Sequence, residues 1–186
     1  MDPRPRGRSA ERAEPPVPAR IAAALAVLDL APHDRVLEIG CGRGVAVAAI
    51  APRLTRSHLT AIDRSAVAIA AARDRNAAHV AAGTVAFLEV SLRDARLPPG
   101  AFTKAFAIDV NLFWLDGSAE LAVLAAALSR GGRLHLIHQA PSHTGRPRIV
   151  DGLRRELAAA GFVVDRLDSP DDTGVPLVVV TARPPD

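Results

Sequence analysis

A nine-residue stretch, Val36-Leu37-Glu38-Ile39-Gly40-Cys41-Gly42-Arg43-Gly44, restricts what this chain can fold into more than any other segment. Val36, Leu37 and Ile39 predict a buried strand. Gly40, Gly42 and Gly44 follow at every second position, and an alanine-rich helical stretch comes directly after them. A strand that breaks into glycines and restarts as a helix lets a ligand lie close to the backbone. The missing Cβ atoms open space, positive φ becomes accessible, and the new helix presents unpaired N–H groups. Such an element predicts a βα unit with a nucleotide-type cofactor at its turn.

The rest of the chain agrees with an enzyme-sized α/β domain. Its 186 residues, 49% of them hydrophobic, suffice for one domain with a sizeable core. The formal charge is only +3 and the basic residues are spread out, with Lys104 the sole lysine, so no basic run points to nucleic acid. A single cysteine, Cys41, excludes an intrachain disulfide and a cysteine zinc cluster, and predicts a reducing, cytoplasmic setting. No apolar run approaches the ~18 residues of a membrane span, and the N-terminus lacks the apolar core of a signal peptide.

Residues 1–18 are rich in proline and arginine and are expected to form a flexible arm; residues 19–186 form the domain. A first helix is expected over 19–30, ended by Pro32. Strands follow at 35–40, 58–63, 85–90, 105–110 and 133–138, and helices at 43–54, 65–79, 118–130 and 147–160. Helix 118–130 carries Leu121, Leu124 and Leu128 on one face and stops at Gly131-Gly132. Two last strands, 162–167 and 176–182, follow without a helix between them. A polar loop with Asp171, Asp172 and Gly174 joins them into an antiparallel hairpin. The fold class is thus α/β: a doubly wound, mostly parallel seven-stranded sheet with a C-terminal antiparallel hairpin. Ligands of such sheets bind beyond the carboxyl ends of the strands. Those ends are Gly40, Asp63, Val90-Ser91, Asp109 to Asn111, and His138-Gln139.

Asp63 lies about twenty residues past the glycines, where a carboxylate can accept hydrogen bonds from ribose hydroxyls; the plainer role is a helix N-cap. Two cofactors fit, a nicotinamide dinucleotide and S-adenosylmethionine. A dinucleotide site wants G-x-G-x-x-G, but here the third glycine comes one residue early and Val45 stands in its place. Glu38, two residues before the first glycine, suits a ligand bearing an ammonium and a sulfonium better than one bearing a pyrophosphate.

Glu38-Ile39-Gly40-Cys41-Gly42-Arg43-Gly44 resembles the first motif, E/D-x-G-x-G-x-G, of class I S-adenosylmethionine-dependent methyltransferases. Leu59 to Asp63 resembles the second motif, whose acid holds the ribose, with Arg64 beside it. Ser65 to Asn76 resembles the following helix, and Phe106 to Trp114 the fourth motif. Arg130-Gly131-Gly132-Arg133-Leu134 resembles the entry to strand five, and the final hairpin also matches. The resemblance implies a small, single-domain enzyme that binds S-adenosylmethionine through Glu38, Gly40, Cys41, Gly42, Gly44, Asp63, Arg64 and Asp109. The family's acidic adenine contact after strand three falls here on either Ser91 or Asp94.

For the acceptor side, Asn111 and His138 are the candidate catalytic residues, with Asp109 and Trp114 nearby. His135 and His138 are expected on one face of their strand, His135 buried and His138 at its end. Asp109-Val110-Asn111-Leu112-Phe113-Trp114 lacks the N/D-P-P-Y motif of amine and glutamine methylation, and no Pro-Cys nucleophile is present. This points to a small-molecule acceptor, flat or apolar beside Leu112, Phe113, Trp114 and Leu115. The helix at 19–30 and the segments 111–117 and 139–147 are expected to rim the pocket. No metal-ligand set stands out. Alternatives are an NAD(P)-dependent oxidoreductase and a catalytically silent cofactor-binding module.

Overall fold

The computed structural model describes residues 17–168 and 177–185. Helix α1 (Ala19–Leu28) precedes strand β1 (Val36–Ile39), helix α2 (Val45–Ile50), strand β2 (Leu59–Asp63) and helices α3 (Ala66–Arg75) and α4 (Ala77–Ala81). Strands β3 (Val85–Glu89) and β4 (Phe102–Ile108) follow, then helices α5 (Leu112–Leu115) and α6 (Ser118–Ala127). The chain closes with β5 (Leu128–Gln139), α7 (Arg146–Ala159), β6 (Val163–Asp168) and β7 (Leu177–Arg183).

One seven-stranded sheet has the order β3-β2-β1-β4-β5-β7-β6. Neighbours from β3 to β5 pair in parallel; β7 runs antiparallel to both β5 and β6. Alternation along β1 explains the two core layers. Leu37 and Ile39 pack with Leu121, Leu124, Leu134, Leu136, Leu153 and Leu157 on the α6–α7 side. Val36 packs with Val47, Ile50, Leu59, Ile69, Ala72 and Phe106 on the α2–α3 side. Glu38 shares the face of Val36, so the strand delivers one carboxylate into a layer that is otherwise apolar. At the β3 edge, the Arg73 guanidinium donates to the Phe87 carbonyl at 2.8 Å, which covers part of an otherwise open strand.

Several boundaries differ from expectation, each for a tertiary or steric reason. Helix α1 ends at Leu28, before Pro32, because Asp29 turns left-handed and Lys104 Nζ donates to the carbonyls of Leu28 and Asp29. The helix expected over 43–54 is α2 followed by a tight turn at Ala51–Arg53, where Pro52 lacks an N–H. The helix expected over 65–79 breaks at Asn76 into α3 and α4. Helix α6 stops at Ala127, not at Gly131-Gly132. Leu128 pairs with Phe102 and already belongs to β5, and residues 129–132 bulge out before pairing resumes at Arg133 opposite Lys104. A Cβ on Gly132 would stand 2.8 Å from the Ser129 carbonyl, so the bulge needs glycine there. The one-turn helix α5 was not anticipated. Residues 1–16 of the expected arm and the hairpin loop with Asp171, Asp172 and Gly174 lie outside the described residues. Among the described residues no helix is long and apolar enough to cross a membrane.

Candidate functional site

The carboxyl ends of β1, β2 and β4 converge on two cavities that share Gly40. The first, about 330 Å³, is lined by the α1 start (Pro18, Arg20, Ile21), by Glu38, by the loop from Gly40 to Arg43, and by Asp109. The second, about 230 Å³, lies across Gly40 and is lined by Ile62, Asp63, Arg64, Ser91, Leu112 and Glu120 among others. A larger recess of about 620 Å³ sits at the other end of the sheet, around Leu128 to Gly131 and Arg183 to Pro185, away from every strand end that bears these polar groups.

The loop between β1 and α2 has the backbone that its glycines allow. Gly40 has φ +69°, and a Cβ there would lie 2.7 Å from Val110 Cγ2. Gly44, at φ +70°, packs on α3, where a Cβ would lie 2.6 Å from Asn76 Nδ2. Asn76 fixes this contact: it is buried, and its Nδ2 donates to the carbonyls of Gly44 at 3.1 Å and Ala72 at 2.9 Å. Asp63 holds the loop from the other side. Its Oδ2 accepts from the Gly42 N–H and its Oδ1 from the Ser65 N–H, both at 2.9 Å. Two such bonds leave lone pairs on both oxygens for a further donor. Ser65 itself caps α3 by accepting from the Ala68 N–H at 3.2 Å.

Glu38 is the electrostatic anomaly of the site. It is 3% exposed, its Oε2 has no hydrogen-bond partner, and it faces the first cavity. Burial, with repulsion from Asp63 added, pushes its carboxyl up to about 8. A buried carboxylate without a partner is costly, so the site fits a ligand that brings a positive charge or hydrogen-bond donor to Glu38. Cys41 also lines this cavity. Burial, Glu38 and Asp63 push its thiol far up, which keeps it protonated and unreactive.

At the end of β4, Asp109 adopts φ +56°, unusual for a residue with a Cβ. Its Oδ1 accepts from the Gln139 N–H at 2.7 Å and its Oδ2 pairs with Arg20 Nε at 3.3 Å. Asp109 therefore ties the ends of β4 and β5 to α1. Asn111 is exposed just beyond, its Oδ1 accepting from the Trp114 indole N–H at 3.4 Å. After β3, Ser91 lines the second cavity and Asp94 does not; Ser91 Oγ donates to Asp94 Oδ2 at 2.5 Å, so the two act as one unit. Arg64 lines the same cavity.

His135 and His138 are three residues apart, so alternation puts them on opposite faces, contrary to expectation. His135 contacts Thr181 Oγ1 at 3.1 Å. His138 is 2% exposed, lies on the face of Leu134 and Leu136, and lines neither cavity; burial holds its imidazole down at about 4, with Asp109 pulling weakly the other way. Of the expected rim segments, α1 and Leu112 line the cavities, while 139–147 contributes through Gln139 to Asp109. Phe113 is a core residue rather than a pocket wall.

Two site residues escaped the sequence reading. Arg20 is one arginine among many until α1 folds over the strand ends. Glu120, on α6, reaches the second cavity and pairs with Arg93 Nε at 3.2 Å. Neither has a local sequence signal. Among the described residues no group of three or more histidine, cysteine or acidic side chains could hold a metal.

The profile of the methyltransferase-domain family matches residues 36–132. The chain belongs to that family, and its fold is that of class I S-adenosylmethionine-dependent methyltransferases. A methyltransferase of Aquifex aeolicus described as S-adenosylmethionine-dependent superposes with a TM-score of 0.74 at 16% identity, over 87% of this chain and 88% of that one. Geranyl diphosphate C-methyltransferase from Streptomyces coelicolor, solved with Mg²⁺, geranyl diphosphate and S-adenosyl-L-homocysteine, gives 0.72 at 16%, over 89% and 77%. The [4+2]-cyclase SpnF gives 0.72 at 18%, over 90% and 82%. In sequence, an uncharacterised protein of Synechococcus sp. is 35% identical over 104 residues, which span 56% of this chain but only a quarter of that relative.

Proposed function

We propose that this protein transfers a methyl group from S-adenosylmethionine to a small-molecule acceptor. The observation that carries the reading is Glu38: a buried carboxylate without a partner, at the wall of a cavity framed by Gly40 and Gly42. The ammonium of a methionine moiety is the kind of group it lacks. Asp63, at the mouth of the second cavity, keeps lone pairs for ribose hydroxyls. Ser91, which lines the second cavity and is hydrogen-bonded to Asp94, supports an adenine contact through this pair. Gly40 lines both cavities, so a ligand that spans them passes over its backbone, and a side chain there would collide with Val110.

When bound, S-adenosylmethionine supplies a sulfonium-activated methyl that an acceptor electron pair can take, leaving S-adenosylhomocysteine. The protein's part is alignment and exclusion of water. Arg20, Asp109 and Gln139 tie α1 to the ends of β4 and β5 beside the first cavity, and Asn111 stands between Val110 and Leu112, which line the second. His138 is set back from both cavities, so no proton transfer is routed through it.

Calorimetry with S-adenosylmethionine tests the reading directly. Micromolar binding is expected, with Gly42→Val abolishing it by bulk and Asp63→Ala weakening it at least tenfold. Absence of heat at high micromolar cofactor, or thermal protection by NADH and not by S-adenosylhomocysteine, would overturn it.

A further inference from the structure

Trp114 is fixed at its backbone by α7 and at its indole by Asn111. Its ring N–H donates to Asn111 Oδ1, and its carbonyl accepts from Arg155 at 3.4 Å. Gly152 of α7 makes room for it, since a Cβ there would stand 2.4 Å from the Trp114 carbonyl oxygen. Next to it, the Gly117 N–H donates to Glu156 Oε2 at 3.3 Å, locking α5 to α7. On this fixed ring lies Arg148, its guanidinium carbon 5.6 Å from the ring centroid. Arg148 is exposed, and among the described residues no carboxylate pairs with it, although Asp151 stands one helical turn further along α7.

Stacking on an aromatic face orients a guanidinium and leaves its N–H edge free, with less freedom to lose on binding. The pair sits just past the β4 end, its indole hydrogen-bonded to Asn111, whose chain neighbours Val110 and Leu112 line the second cavity. Arg20, which lines the first cavity, is already paired with Asp109, whereas Arg148 is exposed and pairs with no carboxylate among the described residues. Asn111 accepts with Oδ1, which leaves its amide N–H groups as donors beside it. One guanidinium and one neutral amide balance a single negative charge, and the planar fork matches a carboxylate. Leu115, 52% exposed, offers apolar surface to the body of such a ligand.

Given the methyl-transfer reading above, we propose that Arg148, stacked on Trp114 and flanked by Asn111, binds the carboxylate of the methyl acceptor, making the acceptor a small aromatic or otherwise apolar carboxylic acid.

Trp114 is the sole tryptophan and the chain has no tyrosine, so intrinsic fluorescence reports on this spot alone. The test titrates the protein, saturated with S-adenosylhomocysteine, with benzoate and with benzamide as its uncharged counterpart. Benzoate is expected to give a saturable change at least fivefold tighter than benzamide. Arg148→Met should abolish that preference, and Asn111→Asp should weaken benzoate about tenfold, while S-adenosylhomocysteine affinity by calorimetry stays within twofold in both. Equal responses to the two probes, no saturable response to benzoate, or an undiminished preference in Arg148→Met overturns the assignment. The calorimetric arm separates the two readings. No heat with S-adenosylhomocysteine defeats the methyl-transfer reading, whereas normal heat without a benzoate preference defeats only the carboxylate site.

Discussion

Two buried carboxylates, Asp34 just before β1 and Glu38 near its end, stand four residues apart and live under opposite conditions. Asp34, 6% exposed, enters the strand fully satisfied. The Ala31 N–H donates to it at 2.7 Å, Thr103 Oγ1 at 2.8 Å, and Lys104 Nζ pairs with it at 2.9 Å. Glu38, 3% exposed, leaves the strand with no hydrogen bond to Oε2. For Asp34, burial raises the pKa, but the bonds from Lys104, Ala31 and Thr103 outweigh it and hold the carboxyl below its ordinary value. For Glu38, nothing opposes burial. The same strand thus carries a stitched structural acid at its amino end and an acid kept unmatched at its carboxyl end, where the cavities open. Ionising such an unmatched buried acid lowers the stability of the empty protein, and a complementary ligand recovers that cost on binding.

The comparison can be broken most forcefully at Lys104. Lys104→Met leaves the Asp34 carboxylate buried without its cation, and a loss of about 3–4 kcal/mol in urea unfolding is expected. Adding Asp34→Asn should recover part of it, and no recovery would mean that the lysine acts mainly on the end of α1. Next in size is Gly44→Ala, which forces a Cβ against Asn76 Nδ2 at positive φ. About 2 kcal/mol of stability should be lost, with cofactor affinity down at least tenfold by calorimetry. If affinity held, the glycine loop would not be the cofactor's contact.

The pH dependences of the two acids should have opposite signs. The contribution of Asp34 is present above its unfolded value of 3.8 and is lost as the pH falls further. The contribution of Glu38 is fully present below its unfolded value of 4.5 and is lost as the pH rises to about 8. Thermal unfolding of the cofactor-free protein should therefore show a decline between about pH 4.5 and 8 that Glu38→Gln flattens. An unchanged slope would show that Glu38 finds a partner in solution. The smallest effect is expected at Cys41. Cys41→Ser should change stability by about 1 kcal/mol or less and S-adenosylhomocysteine affinity by less than threefold, because the thiol acts as a small filler. A much larger loss of affinity would make the sulfur a direct contact.

What the sequence disclosed about this site follows from how local each signal is. The glycine loop was legible because strand, turn and helix occupy consecutive residues, and Asp63 because one βα unit fixes its distance from the loop. The mostly parallel seven-stranded sheet and its antiparallel hairpin were legible through the alternation of elements and the helix-free ending. Asn76, Arg20, Glu120 and the Asp34–Lys104 pair were not. Each acts on residues far away in sequence, such as Gly44, Asp109, Arg93 and the start of β4, and no periodicity encodes such a partner. The start of β5 was missed for a related reason. Leu128 continues the leucine stripe of α6, and only pairing with Phe102 draws it into a strand.

The position of β7 has a consequence for how the molecule is made. This strand, almost wholly buried, lies between β5 and β6, yet it is the last of the seven in the chain. During synthesis β6 emerges first and has no neighbour to join until β7 arrives. A ribosome-bound chain that still lacks residues 177–183 therefore holds β5 with an open edge and exposed apolar surface. Closure of the sheet waits for residues 177–183, and a chain cut before them would be left with a sticky, unfinished β-edge.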